Sequence, residues 1–112
     1  MARLPNAEKA IIEDEKIRDY ILSPTHPVGQ FKAAVFRKLG YSYENWEDFE
    51  QDLKKFILSY DAQEIEVTRF GRKFIVEGSL AGPSGRTMQI ITVWVILKSE
   101  SIPRFVTAYP GG

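Results

Sequence analysis

The sequence predicts an α+β domain, with about three N-terminal helices packed on one face of a four-stranded antiparallel sheet. Three observations carry that expectation: apolar residues recur with a helical period up to about residue 60, the period changes to two beyond Ala62, and the later strand-like stretches are separated only by turn signals. The chain has 112 residues and is 44% hydrophobic, enough for one core and too little for two, so residues 1–112 are read as a single domain.

In the first helix, Glu15 to Leu22, Ile17, Tyr20 and Ile21 form the apolar stripe, Glu13, Asp14 and Glu15 sit where the helix N-terminus favours acids, and Ser23-Pro24 ends it. A second helix is expected over Gln30 to Leu39, beginning near Val28 or Gly29. Phe31, Ala34, Val35 and Leu39 lie on its stripe with Phe36 beside it, and Gly40 provides the stop. Asn45 is positioned as the N-cap of the third, whose apolar residues are Trp46, Phe49, Leu53, Phe56 and Ile57.

Beyond it, Ile65 and Val67, then Phe74 and Val76, alternate with polar residues across Phe70-Gly71-Arg72, which reads as a hairpin. Gly82-Pro83-Ser84-Gly85 is a turn by composition. Thr87 to Leu97 is almost continuously β-branched or apolar, as expected of a strand buried on much of both faces, and Arg104 to Tyr109 completes the sheet.

Composition removes several kinds of chemistry. There is no cysteine, hence no disulfide, thiolate metal site or cysteine nucleophile, and one histidine cannot form a zinc cluster; no cofactor is expected. No apolar run approaches the roughly 20 residues of a membrane span, and Met1 to Asn6 lacks a signal-peptide core, so the expected location is cytoplasmic with no membrane partner. Fifteen basic residues balance fifteen acidic ones, which argues against broad attraction to phosphate backbones but allows a local basic site. From Arg69 onward six basic residues face two acidic ones, pointing to a polarised molecule with an acidic helical side and a basic sheet side.

The single histidine, His26, lies between Pro24 and Pro27, in a segment stiffened by two fixed φ angles. Such an imidazole is presented by a loop, where it can serve as a base or an acid. Lys32 follows in the first turns of the second helix, where a cation opposes the helix dipole. Either it is solvated on the polar face, or it serves an oxyanion or phosphate held at the helix start. On the long strand Thr92 and Trp94 share a face, and Phe105, Thr107 and Tyr109 share one on the last strand, so these hydroxyls could align if the strands pair. Strand propensity alone also explains threonines there. The Gly82–Gly85 loop with Arg86 could cradle phosphate or be a hairpin turn; its spacing does not match a P-loop.

The block Tyr20-x-Leu22-x-x-x-His26-Pro27-x-Gly29-x-x-Lys32-Ala33-x-x-Phe36, together with Leu39-Gly40-Tyr41, Gly82-Pro83-Ser84-Gly85 and the Thr92-x-Trp94 strand, resembles a small uncharacterised bacterial domain family. That family is similar in turn to the toxin domains of contact-dependent inhibition and other polymorphic toxins, which are assigned to the barnase, EndoU, colicin and RelE-like group of ribonucleases. The resemblance spans Leu4 to Pro110.

What it implies is a toxin domain that cleaves RNA without a metal. His26 would be base or acid, Lys32 would stabilise the phosphate, and Thr92, Thr107 and Tyr109 would offer hydroxyls, with Tyr109 as second proton donor. Arg104 and Arg86 would contact phosphate, and Trp94 would either stack a base or belong to the core. The implied partners are RNA and a cognate antitoxin or immunity protein; the oligomeric state is open. The alternatives are a non-catalytic interaction protein of a toxin–antitoxin or phage-related system, and a small-molecule enzyme or ligand-binding domain.

Overall fold

The computed structural model describes residues 2–23, 25–27 and 29–111, without the side chains of residues 29–31. A 3₁₀ turn, Ala7–Lys9, precedes α1, Asp14–Lys16, which continues as a π-helical turn over Ile17–Ile21. Then come α2, Gly29–Arg37, a second 3₁₀ turn over Tyr43–Asn45, and α3, Trp46–Ser59. Four strands follow: β1 Ala62–Thr68, β2 Gly71–Ala81, β3 Thr87–Leu97 and β4 Arg104–Pro110. They pair antiparallel in the order β1-β2-β3-β4, a meander that needs only short connections.

The chain is therefore α+β with a four-stranded antiparallel sheet, as the change of period predicts. One sheet face holds Phe74, Val76, Leu80, Ile90, Trp94, Ile96 and Phe105, all buried, and these join Ile17, Ile21, Phe36, Leu39, Phe49, Leu53, Phe56 and Ile57 in one core cluster.

Several local expectations are corrected. Among the described side chains of α2, Ala33 and Phe36 are buried, with Leu39 just beyond its end, whereas Ala34 is exposed; over these residues the stripe is rotated by about one position from that expected. Phe31, Pro24 and Val28, named in the sequence reading, lie outside the described side chains or residues. Asn45 is the N-cap residue of α3, as expected, but its side chain makes no cap bond to that helix and serves the turn before it: its Oδ1 accepts the Ser42 N–H at 2.6 Å and its Nδ2 donates to Gly40 O at 2.9 Å. Ile65 and Val67 are exposed, because β1 is an edge strand and its register shifts between Glu64 and Glu66. On one face of β3, Ile90, Thr92, Trp94 and Ile96 are buried and Met88 half-buried; on the other Val93 is buried while Ile91 and Val95 are half-buried.

The Gly82–Gly85 segment is the β2–β3 turn, and it closes the C-terminal end of the α2 segment. Ser84 donates from its N–H to Leu39 O at 2.9 Å and from Oγ to Lys38 O at 3.0 Å. These are the carbonyls a helix end leaves unsatisfied.

Candidate functional site

The site is assembled from three short pieces of chain. The π-helical turn carries Tyr20, half-buried between the fully buried Ile17 and Ile21. Such wide turns are rare and are often found where a side chain has work to do. Next, Ser23 Oγ accepts the N–H groups of Thr25 at 3.3 Å and His26 at 3.2 Å, a hydroxyl-closed turn that fixes the loop. It directs the half-buried His26 ring edge-on against Tyr20, with centroids 4.8 Å apart and planes at 85°.

The second piece is α2. It starts at Gly29, so Lys32 falls in its first turn, where the dipole makes a cation unfavourable. Partners offset that cost: Lys32 Nζ donates to Thr107 Oγ1 at 2.7 Å and to Tyr20 OH at 3.3 Å, and it lies 5.1 Å from the Tyr20 ring centroid. The third piece is β4, which delivers Thr107. Tyr20 thus touches both His26 and Lys32, and Lys32 ties both to the sheet.

An open groove of about 650 Å³ runs along the histidine side, lined by Asp19, Ser23, Thr25, His26, Pro27, Tyr43 and Glu44. Its rim is acidic. The Arg18 guanidinium, hydrogen-bonded to Asp19 at 3.0 and 2.9 Å, holds that carboxyl below its usual range, and the Ser42 hydroxyl does the same for Glu44. Both are anionic at neutral pH. Among the described residues, no group of three or more His, Cys, Asp or Glu gathers where it could hold a metal ion.

Of the residues singled out in the sequence, the fold brings together His26, Lys32 and Thr107, with Tyr20 as the link. Thr92 and Trp94 are elsewhere. Both are completely buried; Trp94 Nε1 donates to Thr92 Oγ1 at 2.8 Å, and Thr92 Oγ1 donates to Val76 O at 3.0 Å. They form a closed polar pair in the core, so Trp94 presents no face on which a base could stack.

A bulge explains why Thr92 and Thr107 do not align. The β3–β4 register pairs Trp94 with Phe105 but Val93 with Thr107, leaving Val106 as the extra residue. Thr107 therefore does not share the inward face of Phe105. Tyr109, paired with Ile91, is exposed two residues further along β4. Arg104 is held by Glu100 at 2.8 and 2.9 Å and by Glu13 at 3.7 Å, and Arg86 is exposed beside the β2–β3 turn.

The sequence over residues 3–112 matches the family described as a domain of unknown function, DUF6883. The chain is a member of the DUF6883 family. No curated protein matches it. Among solved structures, this DUF6883 domain is similar to a chain of a contact-dependent growth inhibition toxin–immunity protein complex from Klebsiella pneumoniae 342. The TM-score is 0.69 at 18% identity, over 90% of this chain and 99% of that one. At that identity the likeness is one of fold. Among the described residues of the DUF6883 domain, no helix is long and apolar enough to cross a membrane.

Tyr20 and Ser23 were missed as site residues in the sequence. Tyr20 shares a stripe with Ile17 and Ile21 and reads as core; its place in the block ending at Lys32 and Phe36 was the available signal.

Proposed function

We propose that this chain is a domain of a bacterial toxin system that cleaves RNA by general acid–base chemistry. The observation that supports it best is the convergence of Lys32, Thr107 and Tyr20 beside His26, from segments 12 and 75 residues apart in sequence. A cation placed against the helix dipole, held by a hydroxyl on each side and next to a loop imidazole, suits a phosphate that gains charge during reaction.

In this reading the ribose 2′-oxygen attacks the adjacent phosphorus as His26 takes its proton. The P–O5′ bond breaks, the leaving oxygen receives a proton, and the products are a 2′,3′-cyclic phosphate and a 5′-hydroxyl. Lys32 stabilises the charge on the non-bridging oxygens. Thr107 and Tyr20 hold its ammonium in place, and the exposed Tyr109 hydroxyl is the second proton donor.

The test is incubation of the purified chain with total RNA in EDTA, with induction of the same gene from a tightly controlled promoter. Cleavage and growth arrest by wild type, both lost in His26→Ala and Lys32→Ala, is the expected result. Neither cleavage nor arrest by wild type sinks the proposal, and cleavage untouched by His26→Ala removes the histidine from it.

One observation favours a second reading, a non-catalytic member of a toxin–immunity pair. The His26 groove carries the anionic Asp19 and Glu44, which repel a phosphate backbone and suit basic side chains of a protein partner. A solved structure of similar fold comes from a toxin–immunity complex.

A further inference from the structure

The sheet face opposite the core carries more apolar surface than a solvated antiparallel face requires. Its central positions are Ile75 on β2 and Ile91, Val93 and Val95 on β3; Val93 is 8% exposed and the other three are half-buried. Strand propensity explains any one of them, but together they make a contiguous apolar centre.

The register arranges charge around that centre. Three of the rows that cross the face make up this centre. The first runs Lys73–Val95–Arg104, the second Ile75–Val93–Thr107, and the third Glu77–Ile91–Tyr109. One end of β2 is thus cationic and the other anionic, two residues either side of Ile75. A two-fold axis lying along the middle row maps each outer row onto the other. It sets Lys73 opposite Glu77 of the second copy, Val95 opposite Ile91, and Arg104 opposite the exposed Tyr109, while Ile75 and Val93 meet their own counterparts. A face that is complementary to itself under one two-fold operation is what an isologous dimer needs.

We infer that this open sheet face docks a second copy of the same chain, sheet against sheet, with the strands of the two copies running antiparallel. Aligned sheets pack about 10 Å apart through such interdigitating residues. Four strands about 4.8 Å apart, with residues rising about 3.3 Å each, make a face on the order of 600 Å². That is somewhat below the roughly 800 Å² per partner of a standard interface, so the dimer is weak and concentration-dependent. Within one copy Lys73 already reaches Glu66 at 3.5 Å, and the second copy's Glu77 joins this pair. This face includes Thr107 and Tyr109, so the dimer and RNA bound at the proposed site exclude one another, and the test of the dimer does not use activity.

Sedimentation equilibrium of the full chain, over a concentration series up to the millimolar range, should show wild type passing from 12.8 kDa to twice that mass. Lys73→Glu and Glu77→Lys each place like charges opposite one another twice across the axis, and each raises the dimer dissociation constant at least tenfold. Mixed in equal amounts, the two variants pair Glu with Lys at both positions and re-form a dimer of wild-type strength. Lys73 is only half-buried and Glu77 is exposed, so both variants keep wild-type circular dichroism, and the mixture reports on any that do not. A wild type that stays monomeric throughout, a dimer indifferent to both substitutions, or a mixture that fails to associate would each overturn the inference.

Discussion

Lys32 Nζ and Thr107 Oγ1 lie 2.7 Å apart, joining the first turn of α2 to the edge strand β4 across 75 residues of sequence. Tyr20 OH, at 3.3 Å, is the second acceptor for the same ammonium. Thr107→Val keeps the shape of the side chain and removes one of the two. A partly buried hydrogen bond to a charged group contributes about 1.5–3 kcal/mol, so the urea midpoint should fall by that equivalent. If Lys32 acts on phosphate, RNA cleavage falls about tenfold or more in the same variant under fully folded conditions, because the ammonium is no longer fixed. Lost stability with unchanged cleavage would assign the pair to structure alone.

Thr92→Val should behave oppositely. The Trp94 indole N–H loses its acceptor in a fully buried place, costing about 1–3 kcal/mol, while Val76 O merely loses a side-chain donor. Nothing in the Tyr20–Lys32–Thr107 cluster moves, so cleavage per folded molecule stays at the wild-type level. A thermal melt paired with an activity assay well below the transition separates the two effects.

These variants also mark what the sequence conveyed. Period switching fixed the order of the main elements and the span of β3, because helical and extended side-chain spacing leave different apolar patterns. Lys32 and His26 stood out since each sits where local rules disfavour or single out its residue type. Thr107 was placed on the wrong face, because the extra residue at Val106 leaves no mark in an apolar strand. Tyr20 was hidden for a related reason: an aromatic on an apolar stripe looks like core, and only the tertiary meeting of α2 with β4 shows its hydroxyl in use.

The Gly82–Gly85 turn couples the β2–β3 hairpin to the end of the α2 segment, and Gly82 is the point of contact. A Cβ there would sit 2.1 Å from Leu39 O and 2.6 Å from Leu39 Cβ, backbone and buried side chain that cannot both retreat. Gly82→Ala is therefore expected to cost about 1–3 kcal/mol as overpacking. Gly85, with φ +87° and open space around a built Cβ, responds through backbone strain alone. Amide exchange distinguishes them: Gly82→Ala loosens protection at Ser84, whose N–H is bonded to Leu39 O, whereas Gly85→Ala leaves it in place.

Tyr41 sets an alkaline limit on stability. Its ring is fully buried against Phe49, with centroids 4.7 Å apart, and its hydroxyl donates to Asp52 Oδ2 at 2.5 Å. Burial first, and then the Asp52 carboxylate, push its ionisation well above the ordinary tyrosine value. In the unfolded chain the same group releases its proton near pH 10. Above that pH the folded state binds more protons than the unfolded one, so stability is intact below about pH 10 and declines as pH rises further. In a tyrosinate absorbance titration of the folded protein, one of the five tyrosines should fail to ionise until the chain unfolds. Tyr41→Phe costs about 1 kcal/mol at neutral pH through the lost hydrogen bond, but its stability should fall less steeply than wild type above pH 10. All five tyrosines titrating together near pH 10, with the fold intact, would mean that the Tyr41–Asp52 contact does not hold the proton.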